Sequence, residues 1–313
     1  MENSSLSVSH KNIEHDHTKS LSGWCSAYLA LVVKGSSPAT YEAKKRDLYL
    51  FLRFSENIGV GDRVYLWAPA LSKSFQAEML STYSPASAAR TMATLKHFAK
   101  WLKERISLAA GNPMEGVQSI KLEEPSWNGL SKRELFQLKM AVDIRLSSCK
   151  RKDQNPLLEA AVFYVLLYTG LRESELINLN FGQYKDGNAF INVRRKGHRV
   201  SKKVPIPKDL AIYLDRYLLH ESRVDDDPLF KTRGQNRLNR RDVTNICKRL
   251  SILTPDRVKL SPHMLRHTFL KRVTDQHGVH IAQKLSGNVS VREIFRYAKP
   301  SEEESALVVE GLF

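Results

Sequence analysis

The sequence predicts a mainly α-helical protein with a small antiparallel β-sheet, arranged as a helical domain followed by an α+β domain. Apolar residues recur at helical spacing through about the first 110 residues. Two β-branched runs then stand close together between residues 189 and 206, and helical spacing returns after them. A chain of 313 residues with 42% hydrophobic content is long enough to bury a core in each of two domains.

The first domain is predicted to be entirely helical and to span residues 20–110. Residues 1–19 are polar with mixed charge, and we expect a disordered lead-in there. Residues 111–129 show no clear periodicity and are predicted to be an interdomain linker. The helices between them are expected near residues 21–32, 39–55 and 72–83, with a long fourth helix that begins at Pro85.

The second domain is predicted to span residues 130–313 and to begin at a capping box of Ser131 and Glu134. The apolar run at residues 156–168 has little polar surface, which indicates a buried helix. Gly170 follows it, where the chain needs a positive φ to leave the helix.

A β-hairpin and a short closing helix complete the second domain. The strands are predicted at Ala189–Val193 and Val200–Ile206, with Lys196 and Gly197 in the turn between them. Residues 301–313 open with a capping box and read as a short apolar helix. A helix of that length is not stable alone, so it needs a surface to pack on.

The composition favours a polyanionic partner. The net charge is +16, which points first to nucleic acid and second to an acidic membrane surface. No amphipathic basic helix with a free apolar face supports the membrane alternative. The three cysteines form no CxxC pair, so neither a disulfide framework nor a zinc site is indicated. The polar N-terminus does not resemble a signal peptide, and a cytoplasmic location is expected.

The segment Ser261-Pro262-His263 is typical of a helix start, and it places polar groups where an anion can bind. Ser is a preferred N-cap and Pro a preferred first residue, so His263 lies in the first turn. Arg266 stands three residues further on the same face. Free backbone N–H groups at a helix N-terminus attract phosphate. A purely structural or solvated pair remains the alternative for these two residues.

Three other positions carry candidate chemistry. Arg172 follows the Gly170 break, where a charge needs a partner, and Glu175 is the expected one. A structural ion pair is the alternative there. Lys196 lies in a basic hairpin turn that could enter a DNA groove or be merely solvated. Tyr297 could be a half-buried helix residue or a nucleophile, provided that nearby cations stabilise the charge it creates.

Taken together and in order, these segments resemble the tyrosine recombinases, the family of the phage integrases and Xer proteins. TGLRESEL resembles the first-arginine motif of the family, and the Lys196-Gly197 turn resembles its catalytic hairpin. HMLRHTF resembles its His-x-x-Arg motif, and the interval from Gly287 to Tyr297 resembles its final motif. The resemblance implies a helical core-binding domain at residues 20–110 and an α+β catalytic domain at residues 130–313.

The resemblance also implies a mechanism and its residues. Tyr297 would form a 3′-phosphotyrosine, Arg172 and Arg266 would hold the phosphate oxygens, and Lys196 would protonate the leaving 5′-oxygen. His263 would assist proton transfer or position the phosphate. No cofactor and no metal would be needed. Four protomers would exchange strands of double-stranded DNA through a Holliday junction, with residues 301–313 docked on a neighbouring protomer.

Two departures from the family pattern qualify this prediction. Asn288 stands where the family usually has His or Trp; it can donate a hydrogen bond, but it carries no charge. The interval between Lys196 and Val204 is about one residue longer than usual, so Lys202 is a second candidate for the general acid. Arg195 is excluded from that role because arginine does not release its proton at accessible pH.

Basic residues outside the catalytic set are predicted to contact DNA phosphates. They are Lys44, Lys45, Arg90, Lys96, Arg194, Arg195, Arg199, Lys202, Arg240 and Arg241. Two other functions remain open at this point: a DNA-binding protein of the same fold with weakened chemistry, suggested by Asn288, and a type IB topoisomerase, which shares the chemistry.

Overall fold

The chain divides into two compact units, residues 1–124 and 125–313. The structure is a computed structural model that describes residues 20–108, 111–123, 129–148, 155–185, 187–195, 200–219, 222–287, 294–295 and 310. Within the described residues, no helix has both the length and the apolar character that crossing a bilayer requires.

The first unit is helical, as predicted. Ser20, Ser37 and Ser84 each accept a backbone N–H from the residue three positions later, which satisfies a donor that the helix cannot pair internally. The helices are α1 (Leu21–Tyr28), which continues as a π-helical turn (Leu29–Val33), α2 (Pro38–Asn57), α3 (Pro69–Thr82) and α4 (Pro85–Lys103).

Aromatic rings fill the core of the first unit. Trp67 stacks on Phe98 with their ring centroids 5.3 Å apart, and Phe51 contacts Trp67 at 5.1 Å. All three side chains are fully buried. Rings of this size remove much apolar surface from water, so they supply a large part of the stability of a small helical unit.

The predicted linker at residues 111–129 packs in part on the first unit. Met114 is buried in the aromatic core, and Val117 and Ile120 pack against it. The Gln76 side-chain amide donates to the carbonyl of Gln118 at 2.8 Å. The described part of this segment, residues 111–123, therefore belongs to the first unit rather than to a free connection.

The second unit is built around a helix that is buried on all sides, as its apolar sequence predicted. The predicted capping box is present: Ser131 Oγ accepts from the backbone N–H of Glu134, and Glu134 Oε2 accepts from the backbone N–H of Ser131. The helices are α5 (Lys132–Ser148), α6 (Pro156–Thr169, the buried helix), α7 (Glu173–Ile177), α8 (Lys208–Leu218), α9 (Arg240–Ile252) and α10 (Pro262–Ser286).

The predicted β-hairpin is present and gains a short third strand. Strands β1 (Tyr184–Lys185), β2 (Ala189–Arg194) and β3 (Val200–Pro205) form an antiparallel sheet in that order. Phe190 pairs with Val204 at its centre, and both side chains are buried. The turn between β2 and β3, residues 196–199, lies outside the described residues, and of the predicted closing helix only residue 310 lies within them.

Candidate active site

Arg172 takes its position from the glycine two residues before it. Gly170 ends α6 with φ +59°, a conformation that other residues adopt only at a cost. The chain leaves the helix there, and Arg172 becomes the N-cap of α7. Its Nη1 donates to Glu175 Oε1 at 2.9 Å, so the expected Arg172–Glu175 pair is present.

Glu175 is a buried carboxylate that binds two arginines. Its Oε2 accepts from the backbone N–H of Arg172 at 3.0 Å and from Arg195 Nη1 at 2.9 Å. Burial alone would raise the pKa of this carboxyl, but the backbone donor and the Arg195 charge outweigh it, and the net shift lowers the pKa. Glu175 therefore stays ionised at neutral pH and holds both guanidinium groups.

Helix α10 begins as its sequence predicted and carries the second arginine. Ser261 Oγ accepts from the backbone N–H of Met264, and Pro262 is the first helical residue. Arg266 is buried and donates to the carbonyl oxygens of Gly170 and Ser286. His263 is exposed one turn earlier. Arg266 thus joins the start of α10 to its end and to the end of α6.

The predicted catalytic residues Arg172, His263 and Arg266 line one cavity of about 300 Å³. Arg240 lies at the same cavity, so three arginine residues line it. The other lining residues are Glu173, Ser174, Thr244, Ser261 and Pro262. Guanidinium groups match the oxygens of a phosphate in geometry and charge, so this cavity is suited to a phosphoryl group.

Glu173 is a member of this cavity that the sequence reasoning missed. Burial raises the pKa of its carboxyl, and the nearby Arg240 guanidinium opposes part of the rise. Arg240 itself was predicted only as a DNA contact. Its position one residue after the N-cap Asn239 of α9 could have indicated that it points toward an anion site.

Sequence and structure comparisons decide the family. The model of the phage integrase family matches residues 138–304, more than half of the chain. The chain belongs to this family. It is a tyrosine recombinase, an enzyme of site-specific DNA recombination. This assignment does not favour the two alternatives that the sequence left open, a type IB topoisomerase and a DNA-binding protein with weakened chemistry.

Relatives of this recombinase are similar over most of their length. It is 26% identical over 286 residues to the tyrosine recombinase XerC of Chromobacterium violaceum, covering 90% of this chain and 91% of that one. It is 28% identical over 272 residues to XerC of Oceanobacillus iheyensis, covering 83% and 85% of the two chains.

Solved structures share the fold at low identity. A XerH site-specific recombinase in a post-cleavage complex with palindromic difH has a TM-score of 0.71 and 16% identity, covering 91% of this chain and 85% of that one. A lambda integrase dimer bound to a core site has a TM-score of 0.68 and 15% identity, covering 90% and 77%.

Three predicted catalytic residues of the recombinase lie outside the described residues: Lys196, Asn288 and Tyr297. The described structure ends next to two of them. Arg195 immediately precedes Lys196, and Gly287, with φ +64°, immediately precedes Asn288. Arg195 and Gly287 are therefore the described residues that adjoin Lys196 and Asn288.

Arg195, which was predicted to contact DNA, is buried in this structure. Its side chain is only 3% exposed and forms an ion pair with Glu175. Because Arg195 has basic residues on both sides, the sequence alone could not distinguish it from a row of exposed cations. The strand geometry does separate them, because Arg194 is exposed whereas Val193 and Arg195 are buried.

Most of the other residues predicted to contact DNA are exposed at the surface. Arg90 is a partial exception, since its guanidinium pairs with the buried carboxylate of Asp47 at 2.7 Å. Lys44 is half-buried, with Nζ 3.4 Å from the hydroxyl of Tyr28. Arg199 lies outside the described residues. The exposed members are Lys45, Lys96, Arg194, Lys202, Arg240 and Arg241.

Proposed function

We propose that this recombinase cleaves double-stranded DNA with Tyr297 and binds the scissile phosphate in the cavity of Arg172, His263 and Arg266. The observation that carries the proposal is the convergence of these three side chains, from two distant segments of the chain, on one cavity. The short distances from Arg172 to Glu175 and from Arg266 to backbone carbonyls support it, because preorganised cations stabilise charge without reorganisation during the reaction.

The proposed step exchanges one phosphoester bond for another, and the phenolic proton of Tyr297 passes to His263 or to water. The phenolic oxygen of Tyr297 bonds to phosphorus as the bond between phosphorus and the 5′-oxygen breaks. Lys196 gives its proton to the leaving 5′-oxygen, with Lys202 as the second candidate for that role. Arg172 and Arg266 hold the non-bridging oxygens, which carry most charge in the transition state. The reverse reaction rejoins a strand, so no external energy source is required.

His263 and Asn288 have supporting roles in this proposal. His263 is exposed at the cavity, where it can donate to a phosphate oxygen or accept the tyrosine proton. Asn288 can donate one neutral hydrogen bond, which stabilises an oxyanion less than a charged donor does. We therefore expect slower cleavage than with His at that position, and retained specificity.

The proposed partners are double-stranded DNA and three further copies of the chain. The XerH and lambda integrase structures that share this fold are complexes with DNA, which supports DNA as the partner. Exchange of strands between two DNA sites through a Holliday junction requires four active sites, and we propose a homotetramer on DNA in the cytoplasm. Residues 301–313 are proposed to dock on a neighbouring protomer.

Covalent trapping tests the proposed function. The protein is expressed in a host that carries its native flanking DNA, the cells are denatured rapidly, and DNA attached to the purified protein is sequenced. We expect attached DNA from a defined site with the wild type and none with Tyr297→Phe. Equal, near-zero signals from both proteins on a nicked substrate that prevents rejoining, with DNA binding retained, would favour the DNA-binding protein with weakened chemistry.

A further inference from the structure

We propose that Arg195 is a positioning residue, which anchors the end of β2 to Glu175 and to the end of α10 and acts on strand cleavage through the residue that follows it, Lys196. The proposal rests on the proposed function, in which Lys196 protonates the leaving oxygen. It assigns Arg195 a role in the strand-cleavage step, in place of the DNA contact that its charge suggested.

Arg195 joins three elements through one guanidinium group. Nη1 donates to Glu175 Oε2 on α7 at 2.9 Å, and Nε donates to Ser201 Oγ on β3 at 2.9 Å. Nη2 donates to the carbonyl of Leu285, in the last turn of α10, at 3.3 Å. Only arginine presents several N–H donors in a rigid plane, so no other residue can make these three contacts together.

Glu175 extends this connection to the proposed phosphate site. Its second oxygen accepts from Arg172 Nη1 at 2.9 Å, so one buried carboxylate fixes both guanidinium groups. Arg266 donates to the carbonyl of Ser286, one residue beyond the carbonyl that Arg195 uses. Arg172 and Arg195 thus share one carboxylate, and Arg195 and Arg266 bind adjacent carbonyls at the end of α10.

Gly287 shows how closely Arg195 approaches the chain at the end of α10. A Cβ atom at this position would lie 2.9 Å from Arg195 Nε, which is too close for a carbon, and φ is +64°. Glycine therefore permits both the turn and the contact. The residue that follows is Asn288, so Arg195 also lies beside the backbone that leads to this second supporting residue.

The proposed acid is sensitive to the position of Arg195 because the two residues are adjacent. Neighbouring Cα atoms are held about 3.8 Å apart, so a displaced Arg195 backbone carries Lys196 with it. Proton transfer needs heavy atoms within about 3 Å, and a displacement of about 1 Å costs roughly 100-fold in rate. The described residues that flank the turn on its other sides, Arg194 and Val200, are exposed.

A pair of substrates tests this role. Both carry the site recovered by covalent trapping; one has the normal 5′-oxygen at the scissile phosphate, and the other has sulfur in its place. A thiolate leaves without a proton, so the sulfur substrate does not need the general acid. Arg195→Lys is compared with the wild type by the single-turnover rate of covalent complex formation at saturating DNA.

We expect Arg195→Lys to cleave the oxygen substrate about 100-fold more slowly and the sulfur substrate within a few-fold of the wild type. Lys196→Ala should show the same selective rescue, and Arg216→Lys, an exposed arginine of the same unit, should match the wild type on both substrates. Equal losses on the two substrates, or no loss on either, would overturn the proposal.

A second variant and the wild-type result distinguish misfolding and failure of the proposed function from failure of the positioning role. If Arg195→Lys fails to fold, Ser201→Ala removes a single contact of Arg195 and should show the same selectivity with a smaller loss, whereas an unselective loss would count against the proposal. If the wild type forms no covalent complex with either substrate, the proposed function has failed. That outcome is distinct from a failure of Arg195 as the positioning residue.

Discussion

At the scale of single residues, the proposed phosphate site holds one negative group among its cations. Glu173 shares the cavity with Arg172, Arg240 and Arg266, and it directly follows the arginine that binds Glu175. Glu175 is neutralised by two arginines at short distance, whereas burial raises the pKa of Glu173. The two carboxylates, two residues apart, therefore differ in how easily they lose their charge.

Glu173→Gln is expected to change the pH dependence of stability. Because burial raises the pKa of Glu173, the folded protein binds this proton more tightly than the unfolded chain does. The resulting stabilisation is present at low pH and is lost as pH rises through the raised pKa. The unfolding temperature of the Gln variant should therefore gain on that of the wild type as pH rises above the ordinary glutamate pKa of about 4.3. A difference that is constant with pH would contradict this prediction.

At the scale of secondary-structure elements, the end of α6 determines where Arg172 stands. Gly170 has φ +59°, and a Cβ atom at this position would lie 2.3 Å from Cδ1 of Phe269 on α10. The close packing of α6 on α10 thus depends on the absence of a side chain. Arg266 of α10 donates to the carbonyl of the same glycine, so this contact also fixes the second arginine.

Gly170→Ala is expected to destabilise the second unit by about 2–4 kcal/mol, from backbone strain and overpacking together. Chemical denaturation followed by circular dichroism measures the change. Gly234→Ala is the matched control, because that glycine has no left-handed φ and its nearest neighbour is an ordinary 3.5 Å contact. A loss in the control as large as in Gly170→Ala would show that the φ and the Phe269 contact are not the cause.

At the scale of the whole molecule, the net charge of +16 should make DNA binding strongly salt-dependent. Each phosphate contact contributes about −0.9 to the slope of log K against log salt. Removal of one exposed cation that touches a phosphate should reduce the slope by about 1. Lys45→Ala, Lys96→Ala and Arg241→Ala test this in both units, with Arg216→Ala as the control. An unchanged slope would remove that residue from the set of DNA contacts.

Much of the fold could be predicted from the sequence because local signals agreed with one another. The buried helix α6 followed from the apolar run at residues 156–168 and from Gly170 after it, and the start of α10 followed from Ser261-Pro262. These features depend on neighbours in sequence. The apolar spacing at residues 111–123 was too irregular to indicate that Met114 enters the first core.

The site was less predictable where tertiary contacts decide the role of a charge. Arg194 and Arg195 are the same residue type in the same basic run. Side chains alternate between the two faces of the extended chain, and this alternation buries only Arg195, against Glu175. Arg90 likewise reads as a surface cation, although the buried Asp47 binds it. A partner that is distant in sequence leaves no local pattern in the sequence.

The contact between Arg266 and the carbonyl of Ser286 joins residues 20 apart, which a straight helix would separate by about 30 Å, so the kink at Gly278 must bring the two helical segments of α10 together. Substitutions on the exposed face of α10 leave that distance unchanged, but an inserted or deleted residue would rotate and shift one end against the other. The two helical segments of α10 meet at Gly278, whose φ of +79° is outside the helical region, so the length of each segment sets where Ser286 lies relative to Arg266. Among natural variants of this recombinase, the exposed positions between residues 267 and 285 should therefore vary in identity, whereas the number of residues between Arg266 and Ser286 should remain constant.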